Sequence, residues 1–271
     1  MSRRFAHALC ACVLLAASAS HSAQAQSTID DWKVDLTVYA WLPSMHGGVS
    51  FPGRPGEKSF DLSSSQILDA LKMTFMGTIE AKKGKYGVLT DVTYVDLAMS
   101  HGASHDFTLG QNAIPVGLNA DIAVDTKSTL WTTVGTYNLV STPDYELDAL
   151  AGVRLLDITP ELTWKFSGTT TGVTRALSGT ESVNLQKLDA LVGVKGKVNL
   201  DAQHTWYLPY YVDIGTGGSK LTWQVNAGVG YHFKWGSMSA TWRQVDYQFE
   251  SSSPIQSQTI SGPVVGATWH W

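Results

Sequence analysis

Residues 220–235, KLTWQVNAGVGYHFKW, decide the fold, because apolar and polar side chains alternate along the whole segment. A repeat of two residues is typical of a β-strand with one apolar and one polar face. The segment is much longer than the usual strand of about 5–6 residues, and it can cross a bilayer as a tilted strand. The odd positions carry the apolar face: Leu221, Trp223, Val225, Ala227, Val229, Tyr231, Phe233 and Trp235.

The same alternation returns in residues 32–42, 145–155 and 185–199. Aromatic residues gather near the strand ends, and the span from Trp223 to Trp235 corresponds to about 28 Å of height in a strand tilted near 45°. That height matches an apolar band about 25 Å tall between two aromatic girdles. A soluble β-sandwich would also alternate, but many small residues occupy the apolar face, where a packed core would need larger ones. The pattern therefore favours strands that face lipid.

Composition excludes several classes of protein. Charged residues make up 15%, the net charge is −4, and there are 10 Trp, 10 Tyr and 25 Gly, with a mean hydropathy of −0.04. A helical membrane protein would be more apolar, and a disordered chain would have fewer aromatic residues. The chain has no basic excess, so we expect no nucleic-acid partner.

Residues 1–25 have the features of a cleaved secretory signal peptide. Two arginines precede an apolar run at 8–17 and the small-x-small sequence Ala23-Gln24-Ala25. The apolar run is too short to span a bilayer as a helix. Cleavage would remove Cys10 and Cys12, the only cysteines. The predicted mature domain, 26–271, would then contain no disulfide and no cysteine-based metal site or nucleophile.

The spacing of turn residues divides the mature chain into ten predicted strands. Short turns at one end alternate with longer connections, near 43–71, 99–120 and 168–181, at the other. Short periplasmic turns, long extracellular loops and an even strand number are typical of outer-membrane barrels. Closure is required in lipid, because an open edge leaves backbone groups unpaired. The prediction is an all-β, transmembrane, antiparallel up-and-down β-barrel of about ten strands, within a range of roughly 8–12. The strands are expected near 32–42, 72–83, 86–98, 121–140, 144–167, 182–199, 204–216, 219–234, 237–250 and 257–271.

The last residues, GPVVGATWHW at 262–271, place Trp269 and Trp271 on the apolar face and end in an aromatic residue. This segment resembles the C-terminal strand signal of Gram-negative outer-membrane barrels, which implies recognition by the barrel-assembly machinery. Most of the mature chain resembles a family of largely uncharacterised, porin-like outer-membrane β-barrel proteins. The resemblance implies the Gram-negative outer membrane as the location, outer-membrane lipid as the surroundings, and little about activity. It is carried by segments 80–97, 147–158, 191–198, 221–233 and 238–249.

Charged side chains of both signs fall on the face predicted to line the interior. Ten strands make a barrel only slightly wider than the eight-stranded size that side chains nearly fill. Unpaired buried charges are unfavourable, so we expect ion pairs centred on Arg154 and Arg243. The predicted interior network comprises Asp91, Arg154, Lys187, Asp189, Asp213 and Arg243; Asp35, Glu80, Glu146, Asp148, Lys195, Lys197, His232 and Lys234 are also expected on this face. Two interpretations stay open: a structural plug, or a narrow polar pathway that selects solutes.

Three functions stay open at this point. The first is porin-like passage of a small solute through a narrow polar lumen. The second is a closed structural or adhesion barrel that acts through loops 43–71 and 99–120. The third is a hydrolase at the outer rim, for which the polar candidates are His46, Ser100, His101, Ser104, His105 and Asp106.

No catalytic residue, cofactor or metal site is predicted. The spacing His101-x-x-x-His105 would gather metal ligands only on a helix, and Gly102 argues against one. His232 and His270 are expected to be hydrogen-bonded interior residues. Residues 63–71 could form one or two helical turns that fold over the mouth or into the lumen as a constriction, or they could be the extracellular end of the second strand.

Overall fold

The computed structural model describes residues 31–49, 58–103, 108–109, 112–113, 118–170, 173–182, 184–250 and 255–271. The predicted signal peptide lies outside the described residues and stays a prediction. Residues Trp32–Trp271 form one compact unit. Among the described residues, no helix combines the length and the apolar character that crossing a membrane requires.

The described elements are fifteen strands and one short helix. They are β1 (Lys33–Trp41), β2 (Ser44–Val49), β3 (Lys58–Leu62), α1 (Ser64–Asp69), β4 (Leu71–Lys83), β5 (Tyr86–Ala103), β6 (Thr108–Leu109), β7 (Asn112–Ala113), β8 (Leu118–Ser141), β9 (Tyr145–Thr170), β10 (Val173–Ser182), β11 (Leu185–Asn199), β12 (Trp206–Gly217), β13 (Leu221–Phe233), β14 (Gly236–Gln248) and β15 (Ile255–His270).

Ten of these strands close into an antiparallel barrel in the order β1-β4-β5-β8-β9-β11-β12-β13-β14-β15. The ring closes where β15 pairs with β1, from Asp35 opposite His270 to Trp41 opposite Val264. The predicted antiparallel barrel of about ten strands is therefore confirmed. Each predicted strand overlaps one barrel strand. The prediction used the alternation of apolar and polar residues, and this alternation arises because successive side chains of a strand point outward and inward in turn.

The outside of the barrel is apolar. In water so much exposed apolar surface would be unfavourable, whereas lipid accepts it. Rings at one end touch in succession from Trp206 through Tyr231, Phe233 and Trp235 to Trp269, with centroids 4.7–5.8 Å apart. Trp269 and Trp271 are exposed on this outer face, while their role in assembly stays a prediction. The exposed wall includes Val153, Leu188, Val192, Ile214 and Val265.

The two ends of the barrel differ. At the end called here the turn end, short turns join neighbouring strands, and Val34 and Trp271 exchange two backbone hydrogen bonds of 2.9 Å. The other end is called here the loop end. Strands β8 and β9, which are 24 and 26 residues long, extend towards it and stay paired with each other as far as Leu118 and Gly168. β10 pairs with the outer part of β9. Much of what the sequence assigned to loops 99–120 and 168–181 is therefore paired strand.

The predicted loop 43–71 contains a hairpin and a helix. β2 pairs with the first half of β15, and β3 folds back on β2. Helix α1 begins with a capping box, in which the Ser63 backbone N–H donates to Gln66 Oε1 (2.9 Å) and Ser63 Oγ accepts from the Gln66 N–H (3.4 Å). Ile67 packs against Leu97 beneath it. Of the two alternatives left open for residues 63–71, the structure has the helical one, and strand β4 begins only at Leu71.

A charge placed in the middle of the outer wall should destabilise the barrel. Val192 is 59% exposed at the centre of β11, so Val192→Arg should cost about 2–4 kcal/mol of the free energy of unfolding in lipid vesicles. Gln248→Arg is the matched control, since Gln248 is exposed at the loop end of β14 and should cost about 1 kcal/mol or less. Equal costs in guanidinium titrations would contradict the assignment of the lipid-facing wall.

Candidate functional site

The barrel interior is filled by side chains from the whole ring of strands. Every barrel strand contributes at least one inward side chain that is no more than 8% exposed. Charged, polar and apolar residues all take part, in layers that follow one another along the barrel axis. One such residue per strand, in barrel order, is Trp41, Met76, Asp91, Leu130, Arg154, Leu191, Asp213, Gln224, Arg243 and Ile260.

Arg154 lies at the centre of this interior and is completely buried. Its Nη2 donates to Asp213 Oδ2 and, at 3.1 Å, to Gln224 Oε1. Its Nε donates to Thr132 Oγ1 at 3.1 Å. The buried positive charge is thus neutralised by a buried carboxylate, as a charge removed from water requires.

Arg243 enters the same layer from the other side. Its Nη2 donates to Asp91 Oδ1 at 2.9 Å and to Gln224 Oε1 at 3.1 Å, and its Nη1 donates to the Tyr39 hydroxyl at 3.0 Å. The guanidinium carbon also lies 4.8 Å from the ring centroid of Trp41, within cation–π distance. Gln224 Oε1 therefore accepts from both arginines and links the two ion pairs across the lumen.

We call Tyr39, Asp91, Arg154, Asp213, Gln224 and Arg243 the central network. These residues come from β1, β5, β9, β12, β13 and β14. The contacts of Arg154 with Asp213 and Gln224, and of Arg243 with Asp91, join strands that are not neighbours in the barrel and so bridge its interior.

An apolar cluster covers the central network on the loop side. It begins two residues further along β9 and β14, at Leu156 and Val245, which are completely buried, as is Tyr247. The rings of Tyr247 and Phe249 stack with centroids 5.6 Å apart. The expectation of a polar lumen is therefore wrong for this layer. The loop-side cluster comprises Trp41, Met76, Leu130, Leu156, Ile158, Val245, Tyr247, Phe249, Ile260 and Val264.

On the turn side, a second apolar cluster lies on β5, β8, β9 and β11, between the central network and an ionic layer on that part of the wall; its members are Leu89, Val134, Leu150 and Leu191. In this layer, Lys82 Nζ lies 2.6 Å from both Glu146 Oε1 and Asp148 Oδ2. Lys195 pairs with Glu80. Lys197 Nζ lies 3.9 Å from Glu146 Oε2, so three lysines balance the three carboxylates of the ionic layer.

Lys82 is the interior cation that the sequence reasoning missed. Because it lies next to the turn at 83–85, its sequence position suggests a solvated turn residue. However, it is two residues from Glu80, so the alternation of a strand places both side chains on the inner face. Gly87 leaves room for it, since a Cβ at that position would lie 2.8 Å from Lys82 Cγ. The period of two, extended to the strand end, is the signal that could have found it.

The structure brings four of the six predicted network residues together, namely Asp91, Arg154, Asp213 and Arg243. Asp189 is buried elsewhere, where its Oδ1 accepts the Ser219 N–H at 2.7 Å and holds the turn between β12 and β13. Lys187 places its ammonium 6.0 Å from the ring centroid of Phe249. Asp189 and Lys187 therefore belong to the interior wall but lie outside the central network.

Of the residues considered for a rim hydrolase, His46 lies on β2 whereas Ser100 and His101 lie on β5, and these two strands do not pair with each other. His46 Nδ1 lies 3.1 Å from Asp61 Oδ2 on the β2–β3 hairpin, and both side chains are exposed. Ser100 and His101 belong to strand β5, whereas Ser104, His105 and Asp106 lie outside the described residues. Within the described ranges, no three His, Cys, Asp or Glu side chains are grouped as metal ligands.

Comparison with solved structures finds outer-membrane proteins of very different sequence. The chain is similar to the outer membrane protease OmpT of Escherichia coli, with 10% identity, a TM-score of 0.49, and 92% of this chain and 100% of that chain covered. It is also similar to the translocator domain of the autotransporter NalP of Neisseria meningitidis (14% identity, TM-score 0.37, 98% and 96% covered). A third similarity is to Ail, the attachment invasion locus protein of Yersinia pestis (10% identity, TM-score 0.27, 89% and 99% covered).

No family model matches the chain, and no curated protein matches it. What this chain does must therefore be derived from its own interior and surface.

Breaking one half of the central network should destabilise the barrel strongly. Arg154→Met leaves Asp213 buried without its cation, which should cost about 3–5 kcal/mol in the free energy of unfolding. Replacing both residues by leucine should recover most of that loss, because an apolar pair of similar volume is often neutral. Lys187→Met, a cation outside the network, is the control. A cost for Arg154→Met no larger than the control's would contradict the pairing.

Proposed function

We propose that this protein is an outer-membrane β-barrel of a Gram-negative bacterium whose lumen is occluded and which presents a raised sheet at the cell surface. The observation that carries this proposal is the burial of interior side chains on all ten barrel strands. A porin needs a continuous wet path, and the burial of the central network and of the loop-side cluster argues against one. The closed structural or adhesion barrel is thus better supported than passage of a solute.

Opening such a lumen would be unfavourable. A solute would have to separate Arg154 from Asp213 or Arg243 from Asp91, and each separation leaves buried charges without partners. It would also have to displace the completely buried Leu156, Val245 and Tyr247. The charged groups of the ionic layer at the turn end already pair with one another, so they cannot compensate for these separations.

The outer face of β14 supports the display role. Its outward residues change from Met238, Ala240 and Trp242 to Gln244, Asp246 and Gln248. Since polar side chains are unfavourable against lipid, this change marks the outer limit of the apolar band. Strands β5, β8, β9 and β10 continue at the loop end. The chain therefore builds a sheet outside the membrane on a rigid, filled base.

Planar-bilayer recordings test the occlusion. The folded wild-type chain should show no conductance steps. The combined variant Trp41→Ala, Arg243→Ala and Tyr247→Ala removes the central network's second cation and two large side chains of the loop-side cluster. It should conduct and so serves as the positive control. Steady conductance steps in the wild type, comparable with those of the variant, would contradict an occluded lumen.

Cysteine labelling on intact cells tests the location and the orientation. Because Cys10 and Cys12 are the only cysteines and lie in the predicted signal peptide, a single introduced cysteine reports its own position. Ser65→Cys on α1 should react with a membrane-impermeant maleimide, and Lys85→Cys in a turn-end turn should react only after the cells are broken. The opposite pattern would invert the orientation, and no reaction of Ser65→Cys on whole cells would contradict surface display.

A further inference from the structure

A second polar cluster lies at the turn end, apart from the central network. It comprises Asp35, Tyr207, Ser237 and His270, from β1, β12, β14 and β15. His270 Nδ1 lies 2.7 Å from Asp35 Oδ1, and His270 Nε2 lies 3.3 Å from Ser237 Oγ. The sheet register produces this arrangement, because Asp35 is opposite His270 and Ser237 is opposite Thr268 on adjoining strands.

The order of these contacts has chemical meaning. A carboxylate at Nδ1 accepts a hydrogen bond from the Nδ1–H group and holds the imidazole in one tautomer, which leaves the lone pair of Nε2 facing the serine hydroxyl. A serine, a histidine and an aspartate joined in this order form the arrangement that activates a serine for attack on a carbonyl. Asp35 and His270 are both partly exposed, so water reaches the histidine from the turn end.

Tyr207 adds a hydrogen-bond donor beside the serine. Its ring stacks on His232 with centroids 4.4 Å apart, and His232 lies directly opposite Ser237 in the pairing of β13 with β14. Gly230 makes this position possible, since a Cβ there would lie 2.2 Å from Tyr207 Cζ. A tyrosine O–H held in place next to a nucleophile can donate to the oxyanion that forms during acyl transfer.

We propose that Ser237, His270, Asp35 and Tyr207 form a serine-hydrolase site for short-chain carboxylic esters at the turn end, which is periplasmic in the orientation proposed above. The restriction to short acyl groups follows from burial, since Ser237 is 2% exposed and a longer acyl chain would have to displace more of the side chains around it. This activity is separate from surface display and uses the opposite end of the barrel.

In the first step, Ser237 Oγ bonds to the ester carbonyl carbon and its proton passes to His270 Nε2. The carbon–oxygen bond to the alcohol then breaks, and the alcohol leaves with that proton. In the second step, water adds to the acyl carbon and gives a proton to His270, which returns it to Ser237 Oγ as the carboxylic acid departs. Tyr207 donates to the carbonyl oxygen in both steps, and Asp35 keeps His270 oriented.

The experiment uses the full chain folded in detergent, with a fluorophosphonate that carries only methyl substituents as the covalent probe and p-nitrophenyl acetate as the ester. Peptide mass spectrometry should place the probe on Ser237, and Ser237→Ala should abolish both labelling and turnover. His270→Gln should slow labelling by about 100-fold or more, since it removes the general base. Tyr207→Phe should lower kcat for the ester by about 100-fold, the effect of losing an oxyanion donor.

Ser239→Ala is the matched control, because Ser239 is the next inward residue on the same strand, and it should leave labelling and turnover unchanged. Heat-modifiable migration in gels confirms that each variant has folded. An unlabelled Ser237 in the folded wild type would overturn the proposal. Labelling that is as fast in His270→Gln as in the wild type would overturn it too, because a merely structural histidine gives that result. Neither outcome changes the bilayer recordings, so the labelling experiment can contradict the hydrolase site without contradicting the occluded lumen, and the recordings can do the reverse.

Discussion

Two buried guanidinium groups share one neutral acceptor, Oε1 of Gln224, and the rest of the interior is arranged around that contact. Arginine cannot lose its charge at any physiological pH, so Arg154 and Arg243 each need a carboxylate within the barrel. Asp213 and Asp91 supply these charges from strands on different sides of the lumen. Once the two pairs are joined, the strands they bridge are held at a fixed separation. The apolar clusters can then fill the remaining space.

Lipid imposes the complementary constraint from outside. Backbone groups in the bilayer must be paired, which requires the ring to close, and a ring of ten strands has little room beyond its own side chains. Each strand therefore has an apolar outer face and an inner face that must pack. The mean hydropathy of −0.04 averages over these two unlike surfaces.

The sequence predicted the barrel well, because alternation with a period of two is a local property of each strand. It also placed Arg154, Arg243, Asp91 and Asp213 on one face, since that assignment needs only the phase of each strand. It did not predict the loop-side cluster, although the signal is present in the segment RQVDYQF at 243–249. There the inward positions become apolar and the outward positions polar, as expected where a filled barrel leaves the membrane. The cluster of Asp35, Ser237 and His270 could not be predicted from the sequence. Its members are distant in the chain and come together only because β15 pairs with β1 and with β14 in a particular register.

The rate at which the side-chain protons of Arg154 and Arg243 exchange with water measures directly whether water reaches the two arginines. In a lipid-embedded, isotopically labelled sample, NMR can follow the Nε–H signals of Arg154 and Arg243, assigned with Arg→Lys variants. We predict that both signals exchange with water far more slowly than the Nε–H of an exposed arginine, since both side chains are buried and Arg154 Nε also donates a hydrogen bond to Thr132 Oγ1. Exchange as fast as that of an exposed arginine would show a wet lumen and contradict the occluded barrel.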